Sequence, residues 1–78
     1  MPRFFFHVCD GVERRDDEGV ELPSASDALK RAAAAIRKSA AESVIDGRLP
    51  FNYRIEVEND KGAHVGTVRF HDVVEITF

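Results

Sequence analysis

One uninterrupted helical pattern limits what this chain can fold into: Ser24 to Asp46, SASDALKRAAAAIRKSAAESVID, flanked on both sides by segments that read as strands and turns. Leu29, Ala32, Ala33, Ile36, Ala40 and Val44 recur at three- and four-residue steps and form one apolar stripe. Asp27, Lys30, Arg31, Arg37, Lys38 and Glu42 fall elsewhere on the wheel. Ser24 is a suitable N-cap, and Asp27 three residues on can reach back in the manner of a capping box. Asp46-Gly47 supplies a C-terminal glycine, with Pro50 beyond it. An alanine-rich stripe lets a sheet approach the helix axis closely but buries little area per residue. The sheet must therefore supply the apolar bulk, and the six phenylalanines are suited to that.

With 78 residues the chain is read as a single domain, residues 1–78, near the size at which one core gives only about 3 to 5 kcal/mol. The apolar runs fall far short of the roughly 20 residues that span a bilayer, so no membrane segment is expected. The start, MPRFFFHVCDG, lacks the h-region of a signal peptide and reads as structure. A single cysteine rules out an intramolecular disulfide framework and fits a reducing compartment, so a cytoplasmic location is expected.

In chain order, Arg3 to Cys9 reads as a central strand, with Phe4, Phe6 and Val8 on one face and Phe5, His7 and Cys9 on the other. Asp10-Gly11 is a hairpin turn, and Val12 to Arg15 returns as a short polar edge strand. Asp16 to Gly19 form an acidic turn, and Val20 and Leu22 lead into Pro23. After the helix, Asn52 to Glu58 alternates cleanly, with Tyr53, Ile55 and Val57 inward and Arg54, Glu56 and Glu58 outward. Ala63 to Phe70 follows a turn ending in Gly62, with Val68 and Phe70 expected inward and Val65, Thr67 and Arg69 outside. Gly66 reads as a bulge or a close approach of the helix. The alternation of Val74, Ile76 and Phe78 predicts a last short strand over 73–78.

The expected fold is α+β, β-β-α-β-β with a possible fifth strand: one antiparallel sheet in the order 2-1-3-4, with a single amphipathic helix on one face. A helix of about 22 residues is about 33 Å long against about 23 Å for a seven-residue strand, so one end should overhang. One helix covers one face of the sheet, which leaves Phe5, Val74 and Phe78 as an expected partner surface and points to a homodimer.

The opening Met-Pro-Arg-Phe-Phe-Phe-His-Val, the Asp10-Gly11 turn, the run Asp17-Glu18-Gly19-Val20-Glu21-Leu22-Pro23, the helical Ala28 and Ala32 to Ala35, Gly62, and Phe70-His71-Asp72 resemble a family of short, functionally uncharacterised proteins found widely in rhizobia and related proteobacteria. The resemblance covers nearly the whole chain. It implies a small α+β domain in a bacterial cytoplasm and assigns no catalytic or binding residue. The layout of hairpin, Ser-x-x-Asp-Ala helix and strand is also similar to antitoxins of the HicB type, an analogy of arrangement only.

Site chemistry is sparse. His7 and Cys9 share a strand face, and His64 or His71 in the second hairpin is the nearest further ligand for a zinc or copper ion, but no CxxC or HExxH is present. The same cysteine and a histidine make a nucleophile and base without a third orienting group, so no enzyme activity and no cofactor are expected. The acidic turn lacks the periodicity of a calcium loop, and the glycines are scattered singly, which excludes a phosphate-cradling loop. Residues 10–21 hold six acids against Arg14 and Arg15, while Ser24 to Asp46 holds four bases against three acids. The basic face of Lys30, Arg31, Arg37 and Lys38 is interrupted by Asp27 and Glu42, so nucleic-acid binding is not expected. The leading expectation is a small protein-interaction or regulatory module acting as a homodimer. A nucleic-acid-associated regulator is the alternative, and a metal protein or enzyme using His7 and Cys9 a remote third.

Overall fold

The computed structural model describes residues 1–77. Its elements are β1 (Arg3–Cys9), β2 (Glu13–Arg14), β3 (Val20–Glu21), α1 (Ala25–Ile45), β4 (Arg54–Asn59), β5 (His64–Arg69) and a one-turn α2 (Phe70–Val73). All pairings are antiparallel, in the order β2-β1-β4-β5, with β3 also on β1. This is the expected order 2-1-3-4 with one short strand added. β2 pairs with Val8 and Cys9, and β3 pairs with Arg3 and Phe4, so two fragments share the outer edge of β1.

α1 begins where Ser24 Oγ accepts the Asp27 backbone N–H at 3.2 Å. Asp27 does not complete a reciprocal box, because its carboxylate accepts the Ser24 hydroxyl at 2.8 Å instead of a backbone N–H. At the other end Gly47 N–H donates to Val44 O and Arg48 N–H to Ser43 O, the paired bonds of a Schellman termination. Ala28, Ala32 and Ile36 form one buried cluster with Phe4, Ile55, Val57 and Val68, and Ala40 and Phe70 are buried as well. The approach is close at Gly66, where a Cβ would lie 2.9 Å from Leu29 Cδ2. Both readings of Gly66 hold, since a bulge sits beside it.

That bulge corrects the second hairpin. Val57 is opposite Gly66 while Glu58 is opposite His64, so Val65 is an extra residue. It turns toward the helix and packs on the core, contrary to its expected outward position. The first hairpin also differs: three residues, Asp10 to Val12, separate the paired Cys9 and Glu13, and the return strand shrinks to two residues. Val44 leaves the apolar stripe. The 21-residue helix outruns the six-residue strands beneath it, and beyond Ala40 no helical residue is buried.

The expected last strand over 73–78 does not form among the described residues. Asp72 accepts the Arg69 backbone N–H at 2.9 Å and Val74 N–H bonds Phe70 O at 3.0 Å, which turns the chain into α2. Val73 then packs on the core, and residues 74–77 have no regular structure. Phe78 lies outside the described residues. The same Asp72 contact and the bulge at Val65 shorten the free edge of β5.

Ile36 is fully buried at the centre of the helix-sheet contact, whereas Val44 is 55% exposed. Ile36→Ala is expected to lower unfolding free energy by about 2 to 5 kcal/mol, and Val44→Ala to change it by less than about 0.5 kcal/mol. Urea midpoints of the two variants check this; equal midpoints would mean that the helix packs through another face.

Candidate functional site

Three surfaces hold side chains that the fold does not simply bury: the outer face of the sheet, the outward face of α1, and the end of the molecule where α1 overhangs.

On the outer face, His7 is 3% exposed although it points away from the helix. The segment after β2 covers it. Asp16 N–H donates to His7 Nδ1 at 3.0 Å, so Nδ1 is unprotonated and the ring proton sits on Nε2, which donates to Glu58 Oε1 at 2.9 Å. Arg15 Nη2 lies 3.6 Å from the same Glu58 oxygen. With its proton on Nε2, His7 offers Arg15 no acceptor, so the guanidinium pairs with Glu58 and not with the ring.

Asp16 holds this arrangement together. Oδ2 accepts the Phe6 backbone N–H at 3.1 Å, and Oδ1 accepts the N–H groups of Glu18 and Gly19, each at 3.0 Å. The first bond fills the gap in the edge of β1 between the residues paired with β2 and those paired with β3. The other two make an Asx turn. Gly19 closes the loop over β1 with φ +71°, and a Cβ there would stand 2.9 Å from Phe4 O and 3.0 Å from Phe5 Cε1.

Burial works against ionisation of Asp16, but its bonds from Gly19, Phe6 and Glu18 outweigh it and hold the carboxyl below its ordinary pKa. The hydrogen bond from His7 does the same for Glu58, helped by the charge of Arg15. The sequence placed Asp16 in a solvated acidic turn; an aspartate followed by glycine at the third position is the signal for the Asx turn, but no spacing rule links it to Phe6 or His7.

His7 and Cys9 are both buried on this face, yet both nitrogens of His7 are occupied. His64 Nε2 bonds Thr67 Oγ1 at 3.0 Å, and His71 pairs with Asp72 at 3.6 Å. Among the described residues no three His, Cys, Asp or Glu side chains are grouped to hold a metal ion. Phe5, expected on an open apolar face, is half-buried under Gly19, and Val74 is half-buried in the C-terminal segment. Glu56 and Glu58 lie opposite His7 and Phe5, so the face is largely polar.

Lys30, Arg31, Arg37 and Lys38 are all exposed on α1. Arg37 Nε donates to Val73 O at 3.3 Å, tying the helix to the end of α2.

The overhanging end and the loop after it carry four exposed apolar side chains. Val44 and Leu49 line one concavity with Gly47 and Arg48, Ile45 is 84% exposed beside Val44, and Leu49 and Phe51 are 47% and 57% exposed. The Phe51 ring meets Phe70 edge to face at 5.4 Å, which fixes it at the rim of the core. Of this group the sequence pattern puts Val44 on the apolar stripe and Ile45 elsewhere in the helix, and Leu49 falls in the short connector Arg48-Leu49-Pro50.

Residues 3–71 match the family described as Domain of unknown function (DUF6894). The chain belongs to that family. No curated protein and no solved structure matches this DUF6894 chain. Among the described residues no helix is long and apolar enough to cross a membrane.

Two outcomes follow from these surfaces. Asp16→Ala leaves three backbone N–H groups without an acceptor and should cost about 1 to 3 kcal/mol at neutral pH. Because the folded-state pKa values of Asp16 and Glu58 are depressed, their contribution is fully present above the ordinary carboxylate range and is lost as pH falls through the lower folded values. Urea midpoints measured from pH 7 down to about 3 should therefore show the gap between parent and Asp16→Ala closing in acid; a constant gap would mean that Asp16 is not ionised in the fold. For the helix face, random duplex DNA at physiological salt should bind no tighter than about 10⁻⁴ M, and tight binding lost in Lys30→Glu with Lys38→Glu would reverse that expectation.

Proposed function

We propose that this DUF6894 chain is a non-enzymatic protein-interaction module of the bacterial cytoplasm, acting as a homodimer joined through the overhanging end of α1 and the loop after it. The observation that carries the reading is the exposure of Val44, Ile45, Leu49 and Phe51 together. Val44 and Leu49 share one concavity, and Ile45 and Phe51 add exposed apolar surface near them in the chain, the kind of surface that marks an interaction site. A two-fold axis through this end sets the same patch against itself, and ordinary polar surface at the rim brings the contact toward the roughly 800 Å² per partner of a stable interface.

The outer sheet face supports the non-enzymatic part. The groups there that resemble acid-base machinery, His7, Glu58 and Asp16, are bonded to one another and to backbone N–H groups that hold the 16–19 loop on β1. The shortened edge of β5 favours joining through side chains over strand addition.

Sedimentation equilibrium over low to high micromolar concentration tests this. A dimer mass is expected for the parent, and a monomer mass for Ile45→Glu and for Leu49→Glu with the helical circular-dichroism signal unchanged. A parent that stays monomeric throughout, or a dimer indifferent to both substitutions, would overturn the reading.

A further inference from the structure

Where β4 begins and β5 ends, Arg54 and Arg69 stand directly opposite each other across the two strands. Both belong to the outer face, because their neighbours Ile55 and Val68 point into the core. Like charges in directly opposed positions repel, and neither guanidinium forms an ion pair among the described residues, whereas Arg3, Arg14 and Arg15 each have a carboxylate partner. Asp72, three residues after Arg69, has one carboxylate oxygen on the Arg69 backbone N–H and the other 3.6 Å from His71. Glu56 shares the outer face with Arg54 two residues along β4 but forms no ion pair among the described residues, and Asp16, Asp17, Glu58 and Asp60 border a different concavity toward the opposite end of the strands.

Between the two arginines lies a shallow concavity of about 230 Å³, bordered also by His71, Asn52 and Phe51. Paired guanidinium groups present planar donors suited to the oxygens of a phosphate. An exposed aromatic ring beside them offers a stacking surface for a planar base, and the Asn52 amide both donates and accepts. The geometry points to a binding site for a nucleoside phosphate, with the phosphate between Arg54 and Arg69 and the base against Phe51. The repulsion between the arginines destabilises the free protein, and a bound dianion relieves it.

The test is an amide-resolved NMR titration of the full chain with adenosine 5′-monophosphate, inorganic phosphate and adenosine in separate arms. The nucleotide is expected to shift the amides of residues 52–54 and 69–71. Inorganic phosphate should shift the Arg54 and Arg69 amides more weakly, and adenosine should shift none of them. Arg54→Gln and Arg69→Gln should each weaken nucleotide binding about tenfold and at the same time raise the melting temperature of the free protein, which a merely structural arginine would not do. Phe51→Ala should weaken the nucleotide and leave inorganic phosphate unchanged. Absence of shifts at these residues up to about 10 mM nucleotide, shifts confined to Lys30, Arg31, Arg37 and Lys38, or an affinity unaffected by both arginine substitutions would each overturn the site.

Discussion

The contact between the alanine face of α1 and the strands β4 and β5 sets most of this structure. Ala28, Ala32 and Ala40 place no bulk between helix and sheet, and Gly66 removes the one Cβ that would collide with Leu29. The apolar volume comes from the strands, through Phe4, Ile55, Val57 and Val68. At 21 residues α1 is longer than the six-residue strands beneath it. Its surplus turns hold no buried residue beyond Ala40. The apolar end is exposed because it projects past the sheet, and its cost in solvent is the reason to look for an occupant there.

The uncovered face of the sheet is handled differently. Among the described residues no second helix lies on it, and the loop from Arg15 to Gly19 takes that place with hydrogen bonds instead of apolar bulk. Asp16 is the acceptor for a β1 backbone N–H and for two of its own loop, while its own N–H fixes the tautomer of His7 and so aims the ring at Glu58. These bonds form one connected network, so removing a single member leaves several buried groups unsatisfied. A histidine buried on the solvent side of a sheet is in this case part of the closure of an edge, with both ring nitrogens engaged.

The sequence makes the helix, its N-cap and its Schellman end readable because those signals are local: Ser24, the alanine period and Gly47 act within a few residues. The strand order was also accessible, since a helix crossing over the most apolar strand leaves few alternatives. What escaped was decided by contacts distant in the chain. Val65 turns inward because a bulge shifts its register against β4, and the alternation of Val74, Ile76 and Phe78 gives no hint that Asp72 bends the chain one turn earlier. Phe5 and His7 were assigned to the correct face, but their cover comes from Asp16 and Gly19, about ten residues away in a segment whose acidic composition suggests only solvation. Arg54 and Arg69 were each legible as outward, and their apposition depends on the register alone.

Charge is distributed along the strands of the outer face, with Asp16, Asp17, Glu58 and Asp60 toward one end and Arg54, Arg69 and His71 toward the other. The basic end is also the apolar end, and Phe51 belongs to both proposed surfaces: its ring edge meets Phe70, while its exposed part borders Leu49 in the chain and the two arginines in space. A base stacked on Phe51 and a second chain covering Phe51 use the same few square ångströms. The two proposed events would therefore be coupled, and by thermodynamic reciprocity the factor by which dimerisation lowered nucleotide affinity would equal the factor by which the nucleotide weakened the dimer. Steric overlap at one ring gives that coupling a sign, mutual exclusion, without any change of conformation in the rest of the domain. Phe51→Ala removes the shared element and should uncouple them, leaving phosphate at the arginines without effect on the mass of the protein.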